Sequence, residues 1–457
     1  MIDASSSDRA QMSLASRPSR SAPLNFAQQW WWLLDQWALN RALYASVSAV
    51  QLTGELDLAA LHASLSALVQ RHPALRTTFP SAVGQLDRAI APTAVALPLL
   101  DLQALPQPMP AALEQVIGSS VAWPFDLARG PLLRALLLRS TPTEHVLLVV
   151  VQRIVCDRRS ETLLVRDLLA LYAASAGQLA ELPELPSQYD GFVAQQTAGP
   201  RDATIDDLAY WRAQLADPQL LDLPSDHALP AVRSFRGARQ SRMLTPTLAA
   251  ALTALGQRED LSQLMIMLAA SATLLLRYSG QPDIVIGAPI AARDQPEFAG
   301  MIGCFTAALP LRIDLSGNPT FRELARRVRA VYLGSAAMRD LSFEQLAEAL
   351  SAARGKRRSP LFQIAFGLNR AALEPQQLPG LTVRRLELDS WTAEVDLTLD
   401  LLAEADQLRM VVEYSTDLFE ATTMQRLLGH LATLLAGCAA DADRRINELP
   451  VLTASER

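Results

Sequence analysis

The chain has 457 residues, half of them hydrophobic, with 41 Lys plus Arg against 47 Asp plus Glu and a net charge of -6. That length favours two or three core-bearing units, and a mildly acidic chain lacks the general electrostatic footprint of a nucleic-acid binder. No uninterrupted apolar run is long enough to span a bilayer, and the opening MIDASSSDRAQMSLASRPSRS has no apolar stretch of the secretory kind. Cys156, Cys304 and Cys438 show no metal-ligand spacing, so a reduced, cytoplasmic setting without metal is the expectation.

Residues 1–22, rich in Ser, Arg and Ala without periodicity, read as a flexible N-terminal tail, with ordered structure from Pro23. Leu24 to Trp37, with Trp30, Trp31 and Trp32, reads as a helix buried on more than one face. Leu58, Leu61, Leu65 and Leu68 take helical spacing up to Val69; Pro73 then stops the helix, and the residues to Phe79 suit a strand. Leu132 to Leu138 and His145 to Val151 are short apolar runs separated by Ser140-Thr141-Pro142-Thr143-Glu144. They predict adjacent strands, the second buried on both faces. Helical periodicity resumes from Glu161 to Ala174, so 152–160 falls at a strand-to-helix turn, where folds commonly put chemistry.

Leu182-Pro183-Glu184-Leu185-Pro186 marks the end of a first lobe, 23–186. An inter-lobe linker, 187–205, carries a bridging helix at Asp190 to Gln196, and a second lobe, 206–440, opens with Asp206 to Leu215. That lobe is predicted to hold a helix at Leu261 to Tyr278, a strand at Ile284 to Ile286, a glycine-punctuated loop to Gly303 and a strand at Leu309 to Ile313. Helices at Thr320 to Ala337 and Phe343 to Ala353 follow, with strands at Phe362 to Gly367, Leu381 to Leu386, Val395 to Leu401 and Arg409 to Tyr414. The fold class is α/β (α+β), in two lobes each large enough for its own core.

Short motifs in fixed order carry a resemblance over residues 23 to 440. They are Pro23-Leu24-Asn25-Phe26-Ala27-Gln28-Gln29 with Trp32, Arg71-His72-Pro73-Ala74-Leu75-Arg76-Thr77-Thr78-Phe79, and Pro124-Phe125-Asp126-Leu127 with Gly130-Pro131-Leu132-Leu133-Arg134. Later come Tyr189-Asp190-Gly191-Phe192, Ile302-Gly303 with Leu309-Pro310-Leu311-Arg312, Ser342-Phe343-Glu344-Gln345-Leu346, Ser359-Pro360-Leu361-Phe362-Gln363 and Tyr414-Ser415-Thr416-Asp417-Leu418-Phe419. In this order they resemble the condensation domains of nonribosomal peptide synthetases. The resemblance implies two chloramphenicol-acetyltransferase-like lobes in a V-shaped pseudo-dimer, with a central tunnel entered from opposite faces by the phosphopantetheine arms of upstream and downstream carrier proteins. No cofactor is then resident, because the substrates ride on the 4'-phosphopantetheine of those partners. Residues 441–457 resemble a linker toward an adenylation domain, which would make the chain a piece of a longer synthetase.

The family's third motif, His-His-x-x-x-Asp-Gly, is rewritten as Gln152-Arg153-Ile154-Val155-Cys156-Asp157-Arg158, with Ser160 beyond it. In the family the second histidine positions or deprotonates the acceptor amine, a role suited to an imidazole whose pKa lies near working pH. Arginine stays protonated, offers five donors and no acceptor, and cannot be that base. Losing a general base costs roughly 10²–10⁴-fold in rate. None of His62, His72, His145, His227 and His430 is placed by the sequence to substitute; His145 lies roughly 20 Å back along its strand. The resemblance implies that Asp157 pairs with Arg293 to hold the motif loop, and that Arg153 lies within the tunnel, either paired with a carboxylate or blocking it. Arg153, Arg158 and Arg159 form a basic cluster in sequence. Trp30 stands at the first motif's arginine position and Ala307 at the fifth motif's asparagine position, and with Arg153 and Cys304 they are the tunnel candidates. Cys156 and Cys304 read as inert core cysteines, with no His or Lys placed to lower their pKa.

Two functions follow. One is a non-catalytic or repurposed condensation-family domain, serving as a platform for a trans-acting tailoring enzyme or as a spacer; family branches that recruit oxygenases also carry an arginine at the second histidine position. The other is an acyltransferase that forms an amide between tethered substrates by proximity alone. Heterocyclisation is disfavoured, because Gln152 fails the first aspartate of that branch's Asp-x-x-x-x-Asp-x-x-Ser pattern.

Overall fold

A computed structural model describes residues 19–22, 24–37, 41–82, 85–86, 88–90, 95–103, 109–177, 182–198, 205–216, 219–291, 293, 295–337, 362–370, 376–386, 392–404 and 407–457. The helix expected at Phe343 to Ala353, the sixth motif, and the Ser359-Pro360-Leu361 part of the seventh lie outside the described residues.

Two six-stranded sheets organise the chain. The first runs in the order Gln376–Leu378, Leu381–Leu386, Ala45–Gly54, Glu144–Gln152, Leu133–Thr141, Leu99–Asp101. Its central strand Glu144–Gln152 is flanked on both edges, by Ala45–Gly54 and by Leu133–Thr141, both antiparallel. Leu147, Val149 and Val151 join one core with the helices Leu58–Arg71 and Arg158–Ser175, while Val146 and Leu148 join another with Ile117 of the helix Met109–Ala122. Burial on both faces accounts for the strand's unbroken apolar run; each fully buried aliphatic side chain contributes about 1.5–3 kcal/mol.

The second sheet runs Gly237–Met243, Gln407–Ser415, Leu397–Glu404, Ile364–Arg370, Asp283–Ala291, Thr306–Asp314. Leu397, Leu399, Leu401, Met410, Val412 and Tyr414 pack with the helices Pro246–Glu259, Gln263–Ser279, Phe321–Ala337 and Ala421–Ala440. Strand side chains alternate between faces, so Thr398, Asp400 and Glu413 fall on the opposite face. No single helix among the described residues is long and apolar enough to cross a membrane.

Three expectations are corrected. Ser19–Ala22, assigned to the tail, is a strand paired antiparallel with Arg88–Ile90. Its partner lies far along the chain and a four-residue edge strand carries no alternation to read. Gln376–Leu378 and Leu381–Leu386, assigned to the second lobe, complete the first sheet: Leu381 sits opposite Gly54 and Leu386 opposite Ala49. A strand's own pattern does not name its sheet, so the lobe boundary is not a cut in the sequence. The stretch Gly287 to Ala291, read as loop, extends the strand Asp283–Ala291 and pairs through to Thr306. The linker 187–205 holds the helix Tyr189–Ala198, whose Tyr189 and Phe192 are core residues in a third cluster with Ala27, Trp30, Phe298 and Phe305.

Candidate functional site

The strand Glu144–Gln152 delivers the rewritten motif to a turn between the two sheets, and Asp157 caps the helix Arg158–Ser175 that follows. Gln152 is buried; its backbone N–H donates to the Leu132 carbonyl at 2.9 Å and its Oε1 accepts from Arg153 N at 2.7 Å. Arg153 N also donates to the Tyr44 carbonyl at 2.9 Å. The amide oxygen of Gln152 is thus spent on the backbone of its neighbour.

Asp157 is the node of the site. Its Oδ1 accepts from Ser160 N at 2.8 Å and from Arg293 Nη2 at 3.1 Å, and its Oδ2 accepts from Phe305 N at 3.2 Å and Thr306 Oγ1 at 3.3 Å. Both members of the ion pair are buried, at 4% and 5% exposure for the side chains of Arg293 and Asp157. Arg293 also donates through Nη2 to Ser160 Oγ at 2.7 Å and through Nη1 to the Phe298 carbonyl at 2.9 Å, while its guanidinium lies 3.9 Å from the Phe305 ring centroid. Ser160 Oγ donates to the Gly303 carbonyl at 2.9 Å and accepts from Gly303 N at 3.1 Å. A Cβ on Gly303 would stand 2.1 Å from the Tyr189 ring, so only glycine admits this contact. Asn25 Nδ2 completes the seam by donating to Tyr189 Oη at 3.0 Å and to the Cys304 carbonyl at 3.2 Å. A charge with this many donors is fixed in place, and the pair sets geometry more than it adds stability.

Arg153 points the other way, toward the second sheet. Its Nη1 lies 2.8 Å from Glu394 Oε1, and its guanidinium sits 5.4 Å from the Trp31 ring centroid. The side chains are 30% and 27% exposed. Burial pushes the Glu394 carboxyl above the usual carboxylate range; Arg153 and Arg158 oppose that shift and Glu413 adds to it. Glu394 is held by its neighbours: Thr392 forms a bridge with Arg236, and Ala393 N donates to the Phe235 carbonyl at 3.0 Å. Gly237 passes so close beneath that a Cβ would meet Thr392 at 2.5 Å. Arg158 Nη2 lies 3.7 Å from Asp400 Oδ2, again across to the second sheet, while Arg159 is exposed.

The basic cluster expected from sequence is therefore not one: Arg153 is matched to Glu394, in the turn ahead of the strand Leu397–Glu404, and Arg158 to Asp400 within that strand. Trp30 and Cys304 do not line an opening either. They are 3% and 0% exposed and belong to the same buried cluster, because one step along the helix Phe26–Trp37 rotates the chain by about 100° and brings Trp31, not Trp30, to Arg153. Ala307 sits in the strand Thr306–Asp314 opposite Ile290. Burial pushes both the Cys156 and the Cys304 thiols well up, away from the reactive thiolate form. Sequence reasoning missed Glu394, Asp400 and Trp31. The unpaired charge of Arg153 signals that a carboxylate is needed but not where it comes from.

All five histidines lie elsewhere. His72 Nε2 meets the buried Asp167 at 2.9 Å, and His430 lies between Tyr278 and Glu456. His227 is 3.9 Å from Glu420, His62 is exposed on its helix, and His145 is buried at the far end of the motif strand. Among the described residues no cluster of His, Cys, Asp and Glu could hold a metal ion.

The sequence model of the family described as "Condensation domain" matches residues 19–457. The chain is 39% identical over 445 residues to a linear gramicidin synthase polypeptide of Brevibacillus parabrevis, covering 96% of this chain and 9% of that protein. It is 40% identical over 440 residues to chondramide synthase cmdD of Chondromyces crocatus, covering 95% of this chain and 11% of that one. The chain thus spans about a tenth of the length of these relatives. Among solved structures, the complex of the X-domain and OxyB from teicoplanin biosynthesis matches with a TM-score of 0.78 and 30% identity over 96% of this chain and 97% of that one. The four-domain nonribosomal peptide synthetase holo-AB3403 matches in fold, with a TM-score of 0.81 at 21% identity over 97% of this chain and 35% of that one.

Proposed function

This chain belongs to the condensation-domain family of nonribosomal peptide synthetases, and on that premise we propose that it engages aminoacyl and peptidyl thioesters on carrier proteins without joining them, serving as a platform for a trans-acting tailoring enzyme or as a spacer. The observation that carries this reading is Arg153. On the motif match read from the sequence it takes the place of the family's second histidine; it is permanently charged and is tied to Glu394 at 2.8 Å. His72, His430 and His227 contact Asp167, Tyr278 and Glu420 respectively, none of them a partner of Arg153. The similarity to an X-domain solved in complex with OxyB supports a separate protein as the platform's user. The partners on this reading are upstream and downstream carrier proteins, which present 4'-phosphopantetheine thioesters, together with an adjacent adenylation domain and the tailoring enzyme.

One observation favours a second reading, amide formation without the imidazole. Glu394 is an acceptor 2.8 Å from Arg153, and burial holds its carboxyl above the usual carboxylate range. Loaded donor and acceptor carrier proteins, followed by intact mass, separate the two. The platform reading expects no condensed product from either the parent or Glu394→Gln. Product formed by the parent and lost in Glu394→Gln would establish the second reading and overturn the first.

A further inference from the structure

Beside the apolar cluster and hydrogen bonds that span the halves of the molecule, two kinds of ion pair join them at the motif turn. The Asp157–Arg293 pair is dry and held by five further donors and acceptors: Ser160, Phe305, Thr306 and the Phe298 and Met301 carbonyls. The Arg153–Glu394 and Arg158–Asp400 pairs are wet on the arginine side, at 30% and 48% exposure, and each reaches from the motif turn to the second sheet or the turn that leads into it. Arg153 Nε is buried with no hydrogen-bond partner, so its guanidinium is held by Glu394 and the Trp31 face and not by a full set of acceptors. The charged groups facing Glu394 are Arg153, Arg158 and Glu413; Arg239 in turn pairs with Glu413 at 3.3 Å and takes up its charge.

We propose that Arg153–Glu394 and Arg158–Asp400 form a releasable latch between the two sheets, which swing about the fixed Asp157–Arg293 fulcrum when the latch opens. The physical ground is the difference in solvation. A buried pair with all its lone pairs engaged resists exchange with water, whereas partly exposed pairs are weakened by salt and by competing anions. The latch closes the face that carries Trp31 and Arg153, so a bound partner or an anionic group that takes over either guanidinium opens it. This concerns motion within the free chain and stands whether or not product forms.

The test uses spin labels on Ala63→Cys and Ala254→Cys, exposed positions on the helices Leu58–Arg71 and Pro246–Glu259. Cys156, Cys304 and Cys438 are 0% exposed and stay unlabelled. The label-to-label distance distribution is expected to broaden and shift to longer distance in Glu394→Gln with Asp400→Asn, and to return toward the parent in the charge swap Arg153→Glu with Glu394→Arg. An unmoved distribution in the neutralised variant, or a shift that the swap does not reverse, overturns the proposal. Should the variants not fold, the parent alone decides. A distance that lengthens from low salt to 1 M salt, where the screening length falls to about 3 Å, supports the latch, and a flat response overturns it. Failure of this test leaves the reading of the site untouched, since no carrier protein or thioester is present.

Discussion

At the scale of single residues, the rewritten motif separates into a part that holds the fold and a part that faces the second sheet. Asp157 belongs to the first. Replacing it with Ala strands the buried Arg293 guanidinium and uncaps a helix, and is expected to cost about 3–5 kcal/mol in a chemical denaturation experiment. Asn keeps an acceptor for Ser160 N and is expected to lose less. His145 gives a pH signature. Burial first, and Arg139 second, hold its pKa below the ordinary value of 6.5. The unfolded chain therefore takes up a proton before the native one does as pH falls. The stability His145 protects is fully present above about pH 6.5 and declines below it. Unfolding free energy measured between pH 7.5 and 5 is expected to fall less steeply in His145→Gln than in the parent. The ion pair of Asp157 is legible in the sequence because the family resemblance names both partners and both stand at their matching positions. The counter-charges of Arg153 and Arg158 are not, because Glu394 and Asp400 reach them only once the second sheet has packed against the motif turn.

At the scale of elements, the strand Leu381–Leu386 is the part of the second half that the first cannot do without. It adds Leu381 and Val383 to the first core and pairs along the whole of Leu381 to Leu386 with Ala49 to Gly54. Gly54 has a φ of 131° and a Cβ there would stand 2.0 Å from the Gly380 carbonyl oxygen, so both backbone conformation and space require glycine. Gly54→Ala is expected to destabilise the chain by about 1–3 kcal/mol, read as a lower thermal midpoint. The same strand shows the limit of sequence reading. Its bounds follow from its own residues, yet its sheet does not, since alternation reports one buried face and not the neighbour that buries it. By contrast, Glu144–Gln152 is legible as a two-sided buried strand because its run of Val and Leu leaves no polar face.

At the scale of the whole molecule, two sheets from different parts of the chain meet at the turn where the family places its chemistry, and the groups that meet there are guanidinium and carboxylate, with imidazole absent from the contact. Fold and family follow from many motifs, and in four of them a residue serves packing: Asn25, His72, Tyr189 and Gly303 each close a buried contact. On the proposed reading, that division lets a chain keep the family's architecture without the family's central base. The most direct measurement is intact mass of both carrier proteins, loaded with aminoacyl thioesters and shown to bind, over a time course with and without this chain. No condensed product is expected above the rate of the carrier proteins alone. Product accumulating faster with the chain present would contradict the platform reading.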